Sequence, residues 1–406
     1  MARCRELAAF SEDWGSLRRT FLSPPMHDVH RTITSWVEPL GARAKIDAVG
    51  NFRALYPAGA DRAPRLLIGS HLDTVPNAGC YDGILGVVLA VALLEALQGA
   101  DMPFAIEVVG FSEEEGVRFG IPFIGSRAMV GRVGHLLEAK DASGLTVRKV
   151  IEEFGLNPAE IPQAVMPDKV LAYLEFHIEQ GPVLEKLGRP LGVVEAIAGQ
   201  SRLEATFIGR SNHAGTTPMD LRFDALAGAA EWITMVEQVA KTSPGLVATV
   251  GFVAATPGAV NVIAGEARAS LDVRHREDDV RARVVEDLML AAEQIAQRRS
   301  LSVRWLTLLD QAAVPMDRFL IEEIEKAIRK TGCEPHRMVS GAGHDAMILA
   351  ERVPAAMMFL RTPGGISHDP AESVLTEDVA KAIECGTLLL EQLTCSDKFH
   401  SRTHRA

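Results

Sequence analysis

The chain has 406 residues, of which 47% are hydrophobic and 23% charged, and its formal net charge is -11 at pH 7. An acidic chain without a basic stripe argues against nucleic acid and against anionic membrane surfaces as partners. Five scattered cysteines without a C-x-x-C pair, no evident signal peptide and no apolar stretch long enough to span a bilayer favour a cytoplasmic protein.

Strands and helices alternate in the first half of the chain. The opening 40 residues have helical spacing, broken at Pro24-Pro25. A strand ending at Ser70, a buried helix over residues 84–97 and a strand near residues 106–111 follow. This order predicts an α/β domain with a mixed, mostly parallel sheet sandwiched by helices. A helix over residues 318–331 and a strand over residues 355–360 are expected to complete it.

The pattern changes after Gly199. Strand, helix, two strands, helix and strand are predicted at residues 202–208, 223–239, 246–253, 267–273, 278–298 and 301–308. This is the order of the split βαβ unit. We therefore expect a ferredoxin-like α+β domain over residues 203–314, inserted into a discontinuous catalytic domain formed by residues 1–202 and 315–406.

Acidic and imidazole side chains stand where several apolar runs end. His71 and Asp73 follow one run, three glutamates at 113–115 follow the next, and His177 and His368 follow two later runs. A glycine-flanked turn just after Asp73 adds Asp82. Strand ends are where α/β proteins place their chemistry. Three histidines and two carboxylates delivered there indicate a metal site, with two ions sharing one carboxylate.

Each of these residues also has an ordinary structural explanation. His71-Leu72-Asp73 could be a surface pair, Asp82 could cap the following helix, and a run of glutamates is usually a solvated loop. A histidine at a strand end is more often hydrogen-bonded in the core than a ligand. Their shared placement favours the metal site. Of the adjacent glutamates, one could bind metal while its neighbour stays free as a general base.

Three further motifs allow a substrate-binding role. His213 could donate to a developing oxyanion, or be a turn histidine bonded to threonine hydroxyls. Arg274, which with Asn261 flanks a strand pair, could clamp a carboxylate, or form a surface salt bridge. The Gly-rich segment 340–345 lacks the lysine of a P-loop and more plausibly offers backbone N–H groups to a substrate anion.

Taken in order, these segments resemble the M20 metallopeptidase clan, and more closely its amidase branch of hydantoinase/carbamoylase type. The resemblance covers roughly residues 40–395. The branch includes N-carbamoyl-L-amino-acid hydrolases, β-ureidopropionases and allantoate amidohydrolases. The matching segments are residues 69–75, 81–83, 114–119, 177–181, 213–219, 261–263, 272–274, 340–345 and 365–368.

The resemblance implies a dinuclear centre. Asp82 would bridge two ions, His71 and His177 would complete one site, and Glu115 and His368 the other. Imidazole and carboxylate ligands suit Zn, Mn, Co or Ni, and the sequence does not name the ion.

The resemblance also implies the remaining roles. Glu114 would be the general base and Asp73 would orient His71. The inserted domain would be a lid through which a homodimer forms, with His213 reaching the partner's active site. The substrate would be bound by Gln180, Asn261, Arg274, Gly341, Ala342, Gly343 and Arg361, although Arg361 does not decide between substrate classes.

The predicted reaction is hydrolysis of a linear ureido C–N bond, as in an N-carbamoyl-L-amino acid or allantoate, with release of ammonia and carbon dioxide. A dipeptidase or aminoacylase on the same scaffold is the nearest alternative. The residues after His177 and His213 favour the ureido branch. A metal-stabilised binding protein without catalysis is the second alternative, and an intact Glu114 weighs against it.

Overall fold

The computed structural model describes residues 1–58, 63–98 and 100–401. In chain order the strands are β1 (Leu17–Arg19), β2 (Arg43–Ile46), β3 (Phe52–Tyr56), β4 (Arg65–His71), β5 (Thr74–Ala78), β6 (Ala105–Phe111), β7 (Val170–Ile178), β8 (Leu191–Ile197), β9 (Gly199–Ile208), β10 (Asn212–His213), β11 (Val247–Thr249), β12 (Val253–Thr256), β13 (Val262–Ile263), β14 (Glu266–His275), β15 (Ser302–Gln311), β16 (Val314–Pro315), β17 (Arg337–Ser340) and β18 (Ala355–Leu360).

The α-helices of the described residues are α1 (Ala2–Ala8), α2 (Pro25–Val37), α3 (Ile84–Ala96), α4 (Ile124–Met129), α5 (Val147–Glu153), α6 (Val183–Leu187), α7 (Ala225–Thr242), α8 (Asp278–Arg298), α9 (Arg318–Lys330), α10 (Asp345–Leu349), α11 (Thr376–Thr394) and α12 (Asp397–His400). Within the described ranges, no helix combines the length and apolar character needed to cross a membrane.

The chain divides into two compact units. The first contains Met1–Glu195 and Met316–Ala406, and the second contains Ala196–Pro315. The chain passes between the two units twice. Strands β8 and β16 pair close to these two points, Ile197 with Val314 and Ala196 with Pro315.

In the first unit the strands of the large sheet run in the order β8-β18-β7-β4-β6-β3-β2, and β17 also pairs with β8. The four central strands, β18, β7, β4 and β6, are parallel to one another. Nearly every residue of these strands is buried, which explains why they read as continuous apolar runs. Because the central strands are parallel, their carboxyl ends all lie at the same end of the strands, along one side of the sheet.

The sheet is mixed, but the expectation of a mostly parallel sheet holds only for its centre. Strands β2, β3 and β8 pair antiparallel with their neighbours. The short turn between β2 and β3 dictates this for the first pair. There the Asp47 carboxylate accepts the amides of Val49 and Asn51 at 3.0 Å each, closing a hairpin that has no room for a crossover.

The opening segment, expected to have helical spacing to about residue 40, is α-helical only in α1 and α2, and α2 begins at Pro25, where proline is well tolerated. It also contains β1, which the sequence analysis missed. This strand has three residues and pairs with β5, so it is too short to show a period of its own.

The six predicted elements appear in the second unit as β9, α7, β11 with β12, β14, α8 and β15, and a short pair formed by β10 and β13 was not predicted. Its antiparallel strands run β11-β14-β9-β15, and β12 also pairs with β14. Helices α7 and α8 supply one side of a core that includes Phe207, Trp232 and Leu288. The strand predicted over residues 246–253 is wrong in detail. It is split into β11 and β12, because the amides of Gly251 and Phe252 donate to the Ser270 hydroxyl instead of to a ladder.

Candidate metal centre

The candidate site residues of the first unit lie where the carboxyl ends of the central strands meet. His71 is the last residue of β4, and His177 is the penultimate residue of β7. The glutamates at 113–115 follow β6, and His368 lies in the loop after β18. The register sets His71 beside Phe111 at the end of β6, and β18 runs parallel to β7. The sheet therefore delivers four distant segments to one place.

His71 and His177 turn their Nε2 atoms toward each other. Nδ1 of His71 lies 3.0 Å from the carbonyl oxygen of Asp73, and Nδ1 of His177 lies 2.9 Å from that of Ile178. A carbonyl oxygen only accepts, so each Nδ1 carries the proton and donates it. The two Nε2 atoms are 3.4 Å apart in a buried setting. This is how proteins fix imidazoles as metal ligands.

Asp82 lies among three imidazoles. Its Oδ1 is 3.1 Å from Nε2 of His177 and 3.7 Å from Nε2 of His71, and its Oδ2 is 3.1 Å from Nε2 of His368. Burial opposes ionisation, but the three neighbouring imidazoles outweigh it and hold the pKa of Asp82 well below its usual range. Helix α3 begins after Gly83 without a side-chain cap, so capping does not account for Asp82.

Gly83 is required by the packing of this turn. Its φ is +66°, and a Cβ built there would lie 2.4 Å from Cε1 of His71. Any side chain would therefore displace the imidazole as well as strain the backbone. The glycine after Asp82 lets the turn bring its carboxylate against the ring.

Glu115 and Glu114 extend the cluster. Oε1 of Glu115 is 3.6 Å from Nε2 of His368. Possible ligand atoms of Asp82, Glu115 and His368 lie within 4.8 Å of one another, and the same holds for His71, Glu114 and Glu115. The geometry of Glu114 is therefore compatible with either a ligand or a free base.

Both glutamates hold protons more tightly than usual. Burial raises the pKa of Glu114 well above its usual range and that of Glu115 to about 7, although the charge of His71 acts in the opposite direction on both. A carboxylate with a raised pKa is a stronger base, which suits proton transfer near neutral pH.

Asp73 connects the histidine to the glutamates. Its carbonyl oxygen receives the Nδ1 proton of His71, while its Oδ1 lies 3.4 Å from the same nitrogen. Its two carboxylate oxygens accept the backbone amides of Glu114 and Glu115, at 3.0 Å each. The sequence analysis expected only the contact with His71 and missed the two amides.

The chemistry of this cluster fits divalent cations. Its donors are imidazole nitrogens and carboxylate oxygens, the set that Zn, Mn, Co and Ni accept. Oδ1 of Asp82 is buried and accepts no hydrogen bond from the described residues. Burial would lower the pKa of His71 and His177, but the surrounding carboxylates raise both. The site therefore attracts positive charge.

Two residues predicted to bind substrate have protein partners. Nε2 of Gln180 lies 2.9 Å from Oδ2 of Asp82, so Gln180 is part of the cluster. Arg361 makes a bidentate pair with the buried carboxylate of Asp378, with both distances 2.8 Å. A substrate group would have to compete with Asp378 for Arg361.

The Gly-rich loop after β17 is held by hydrogen bonds of its own side chains. The hydroxyl of Ser340 lies 2.8 Å from the carbonyl oxygen of Ala342, 3.2 Å from its amide and 2.9 Å from Nε2 of His344. The amide of Ala342 is thus already used, while Gly341 and Gly343 flank it. His344 is buried, and its ring packs against that of His177 with centroids 4.6 Å apart.

In the second unit, His213 is the exposed last residue of β10, just before a turn. Its Nδ1 accepts the amides of Gly215 at 3.0 Å and Thr216 at 3.2 Å. An imidazole nitrogen that accepts carries no proton, so the neutral ring has its proton on Nε2. The hydroxyl of Thr217 donates to the backbone oxygen of His213, not to the ring. His213 is thus fixed as a donor, which the sequence could not show.

The other two candidates of the second unit lie on or beside strands. Asn261 precedes β13, and its carbonyl oxygen accepts the amide of Ala214. Arg274, on β14, binds the Asp272 carboxylate with both Nε and Nη2, at 2.8 and 3.0 Å. The salt-bridge alternative is therefore observed, and a substrate carboxylate would share the guanidinium with Asp272.

Two residues that the sequence analysis missed also contact the cluster. The Ser367 hydroxyl is 3.2 Å from Oδ2 of Asp82, and Glu372 accepts the backbone amides of Tyr81 and Asp82. Their signal is faint, because Ser367 merely precedes His368 and Glu372 follows it by four positions. A carboxylate that binds backbone amides leaves no periodic pattern.

The first unit thus combines a parallel-centred α/β sheet with a cluster of carboxylates and imidazoles that could hold metal ions, at the carboxyl ends of its central strands. Sequence comparison narrows the class, because the family model of peptidase family M20/M25/M40 matches residues 67–392. The chain belongs to this family.

Individual relatives are similar over almost the whole chain. Allantoate deiminase 2 of Glycine max is 38% identical, over 97% of this chain and 89% of the relative. An N-carbamoyl-L-amino acid amidohydrolase of Geobacillus stearothermophilus is also 38% identical, over 87% of each chain. The crystal structure of an amidase of the hydantoinase/carbamoylase family from Burkholderia multivorans superposes with a TM-score of 0.92, at 29% identity and 97% coverage of both chains.

Proposed function

We propose that the protein is a metal-dependent amidohydrolase that cleaves a linear ureido C–N bond. One water is consumed, and the carbamoyl group of an N-carbamoyl-L-amino acid or of allantoate leaves as ammonia and carbon dioxide. The observation that carries the proposal is the convergence of His71, His177 and His368 on one buried carboxylate, Asp82. The relatives named for allantoate and for N-carbamoyl-L-amino acids support the substrate class.

The cluster would hold two divalent ions, Zn or else Mn, Co or Ni. Asp82 would contribute to both, His71 and His177 to one, and Glu115 and His368 to the other. When bound, such ions polarise the carbonyl oxygen of the substrate and lower the pKa of a water molecule. Asp73 would orient His71, and its carboxylate would keep Glu114 and Glu115 in place through their amides.

Glu114 would act as the general base. It would take a proton from the attacking water and return it to the leaving nitrogen. Burial raises its pKa, and a carboxylate with a raised pKa is a stronger base. Its amide donates to the carboxylate of Asp73, which fixes the backbone of Glu114.

The second unit would supply recognition and act as a lid. His213, with its proton on Nε2, is suited to donate to the oxyanion of the tetrahedral intermediate. Asn261, Arg274, Gln180, Arg361 and the loop from Gly341 to Gly343 would bind the rest of the substrate. A homodimer formed through this unit would let His213 serve the partner's site, and we expect the enzyme in the cytoplasm.

Ammonia release from a substrate panel tests this function. Protein stripped with a chelator and reloaded separately with Zn, Mn, Co or Ni is incubated with N-carbamoyl-L-amino acids, allantoate, dipeptides and N-acyl amino acids. We expect ammonia from the ureido compounds and no cleavage of the amides. Preferential cleavage of dipeptides or N-acyl amino acids would identify the dipeptidase/aminoacylase alternative, and inactivity of every metal form would favour a binding protein.

A further inference from the structure

We propose that Glu372 is a positioning residue that holds the Asp82 turn in ligand geometry and joins it to the loop that carries His368. This inference rests on the proposed metal-dependent function, which it deepens by one residue. Glu372 lies in the segment between β18 and α11, and its side chain is only 4% exposed.

The Glu372 carboxylate accepts hydrogen bonds from two consecutive backbone amides, those of Tyr81 and Asp82. Its Oε1 accepts the amide of Tyr81 at 2.9 Å and the amide of Asp82 at 3.0 Å. Two consecutive amides on one oxygen fix the turn through its backbone. The position of the Asp82 carboxylate among the imidazoles therefore depends on Glu372.

The other oxygen of Glu372 reaches the second loop. Its Oε2 is 3.2 Å from the hydroxyl of Ser367, which is also 3.2 Å from Oδ2 of Asp82. Ser367 is the chain neighbour of His368. One carboxylate thus ties together the turn of Asp82 and the loop of His368, which come from opposite ends of the chain.

Gly79 shows that this contact is tightly built. A Cβ placed on Gly79 would lie 2.4 Å from Cβ of Glu372 and 2.5 Å from its Oε1. Its φ is not in the left-handed region, so the backbone of Gly79 accepts alanine, and the three atoms nearest to the added Cβ would all belong to Glu372. Gly79→Ala therefore disturbs the same contact from the opposite side.

The hydroxyl of Ser367 predicts which substitution is tolerated. A hydroxyl has one proton, and here it lies between the carboxylates of Asp82 and Glu372. Glu372→Gln keeps an oxygen for the two amides and adds an N–H group that can donate to Ser367. Glu372→Ala removes both contacts and leaves two buried amides without their acceptor. The alanine variant should be much more damaging than the glutamine variant.

Metal affinity is the direct readout. Wild type, Glu372→Ala, Glu372→Gln and Gly79→Ala, all full-length and stripped of metal, are titrated with Zn or Mn by calorimetry. We expect Glu372→Ala and Gly79→Ala to bind on the order of 10–100-fold more weakly, the usual effect of removing a group that supports a ligand. Glu372→Gln should stay close to wild type. Glu391→Ala, on an exposed glutamate of α11, is the matched control.

A double-mutant cycle separates a specific contact from general damage. The atom of Glu372 nearest to a Cβ at residue 79 is its own Cβ, which alanine would keep, so the cycle uses Glu372→Gly. Glu372→Gly removes the whole side chain and the clash with it, so the double variant Gly79→Ala/Glu372→Gly should bind metal no worse than Glu372→Gly. Additive losses would contradict the proposed contact. Thermal unfolding of the stripped proteins shows whether each variant folds, and Glu372→Gln and Gly79→Ala keep the test valid if Glu372→Ala does not.

Kinetics then distinguish positioning from substrate contact. With a ureido substrate at limiting metal, Glu372→Ala should lose kcat with little change in KM, and excess metal should restore much of it. Unchanged metal affinity in both Glu372→Ala and Gly79→Ala would overturn the proposal. If wild type cleaves no ureido substrate while these variants still lose affinity, the proposed reaction fails and the role of Glu372 stands.

Discussion

The histidines at the strand ends and the histidine of the second unit are prepared for opposite tasks. In His71 and His177, Nδ1 donates to a backbone carbonyl, which leaves Nε2 as an acceptor. In His213, Nδ1 accepts two backbone amides, which leaves Nε2 as a donor. His71 and His177 are buried and His213 is exposed.

The backbone around each ring therefore decides what the ring can do. An acceptor nitrogen suits a cation, and a donor nitrogen suits an oxyanion. Residue type alone does not distinguish an imidazole that accepts from one that donates, because all three residues are histidines. The comparison predicts that changes near Asp82 alter metal binding, whereas changes at His213 alter turnover only.

The largest effect should follow loss of the carboxylate that the three imidazoles share. Asp82→Ala should leave the cluster unable to hold its ions, with a loss of activity beyond the about 10⁴-fold upper limit for a single general base. Elemental analysis after gel filtration measures the metal content. Full metal content in this variant would show that Asp82 is not a ligand.

Glu114→Gln should separate chemistry from metal binding within the same cluster. The amide cannot take a proton, so turnover should fall by about 10²–10⁴-fold while both ions are retained. Metal content and kcat are measured on the same sample. Loss of an ion from this variant would instead make Glu114 a ligand, as its proximity to His71 and Glu115 allows.

His213→Ala should lower turnover by about 10²–10³-fold, the usual effect of removing one oxyanion donor, and leave metal content unchanged. The exposed His135 of the first unit serves as the control, and His135→Ala should behave like wild type in both measurements. Normal turnover of His213→Ala would remove this ring from the mechanism and end the functional contrast between the two units.

The smallest effect concerns a buried histidine outside the cluster. Burial, with smaller effects from His27 and Arg19, lowers the pKa of His30 to about 3, and its ring packs near Phe52 and Phe154. Because His30 stays neutral in the folded protein, its contribution to stability is fully present only above the unfolded pKa of about 6.5, where the unfolded histidine is neutral too.

That stabilisation is lost as the pH falls from about 6.5 toward 3, and should have fallen by about 2 kcal/mol at pH 5. Urea unfolding of the metal-free protein between pH 7 and 5 measures it. His30→Leu should have a flatter pH dependence, and exposed His135→Leu should keep the wild-type slope. Equal slopes in all three proteins would contradict the assignment.

Much of the fold and of the cluster could be predicted from the sequence because both depend on side-chain type and order. The buried parallel strands read as apolar runs, and the candidate ligands follow where those runs end. Helix α3 was predicted over residues 84–97 and spans Ile84–Ala96. The split of the strand before Phe252 could not be predicted, because it depends on the Ser270 hydroxyl across the sheet.

The remaining parts of the site depend on contacts between distant residues and the backbone. The tautomers of His71 and His213 follow from carbonyls and amides, which the sequence does not reveal. Glu372 binds amides that lie some 290 positions away. The sequence also does not show that Arg361 pairs with Asp378. An arginine can form the same two hydrogen bonds with a substrate or with a carboxylate of the protein.

Anomalous diffraction from crystals grown with Zn or Mn tests the central claim most directly. We predict two peaks, one on either side of the Asp82 carboxylate, the first within bonding distance of His71 and His177 and the second within bonding distance of Glu115 and His368. A protein whose crystals bind the ions elsewhere, or show no peak beside Asp82, would contradict the account.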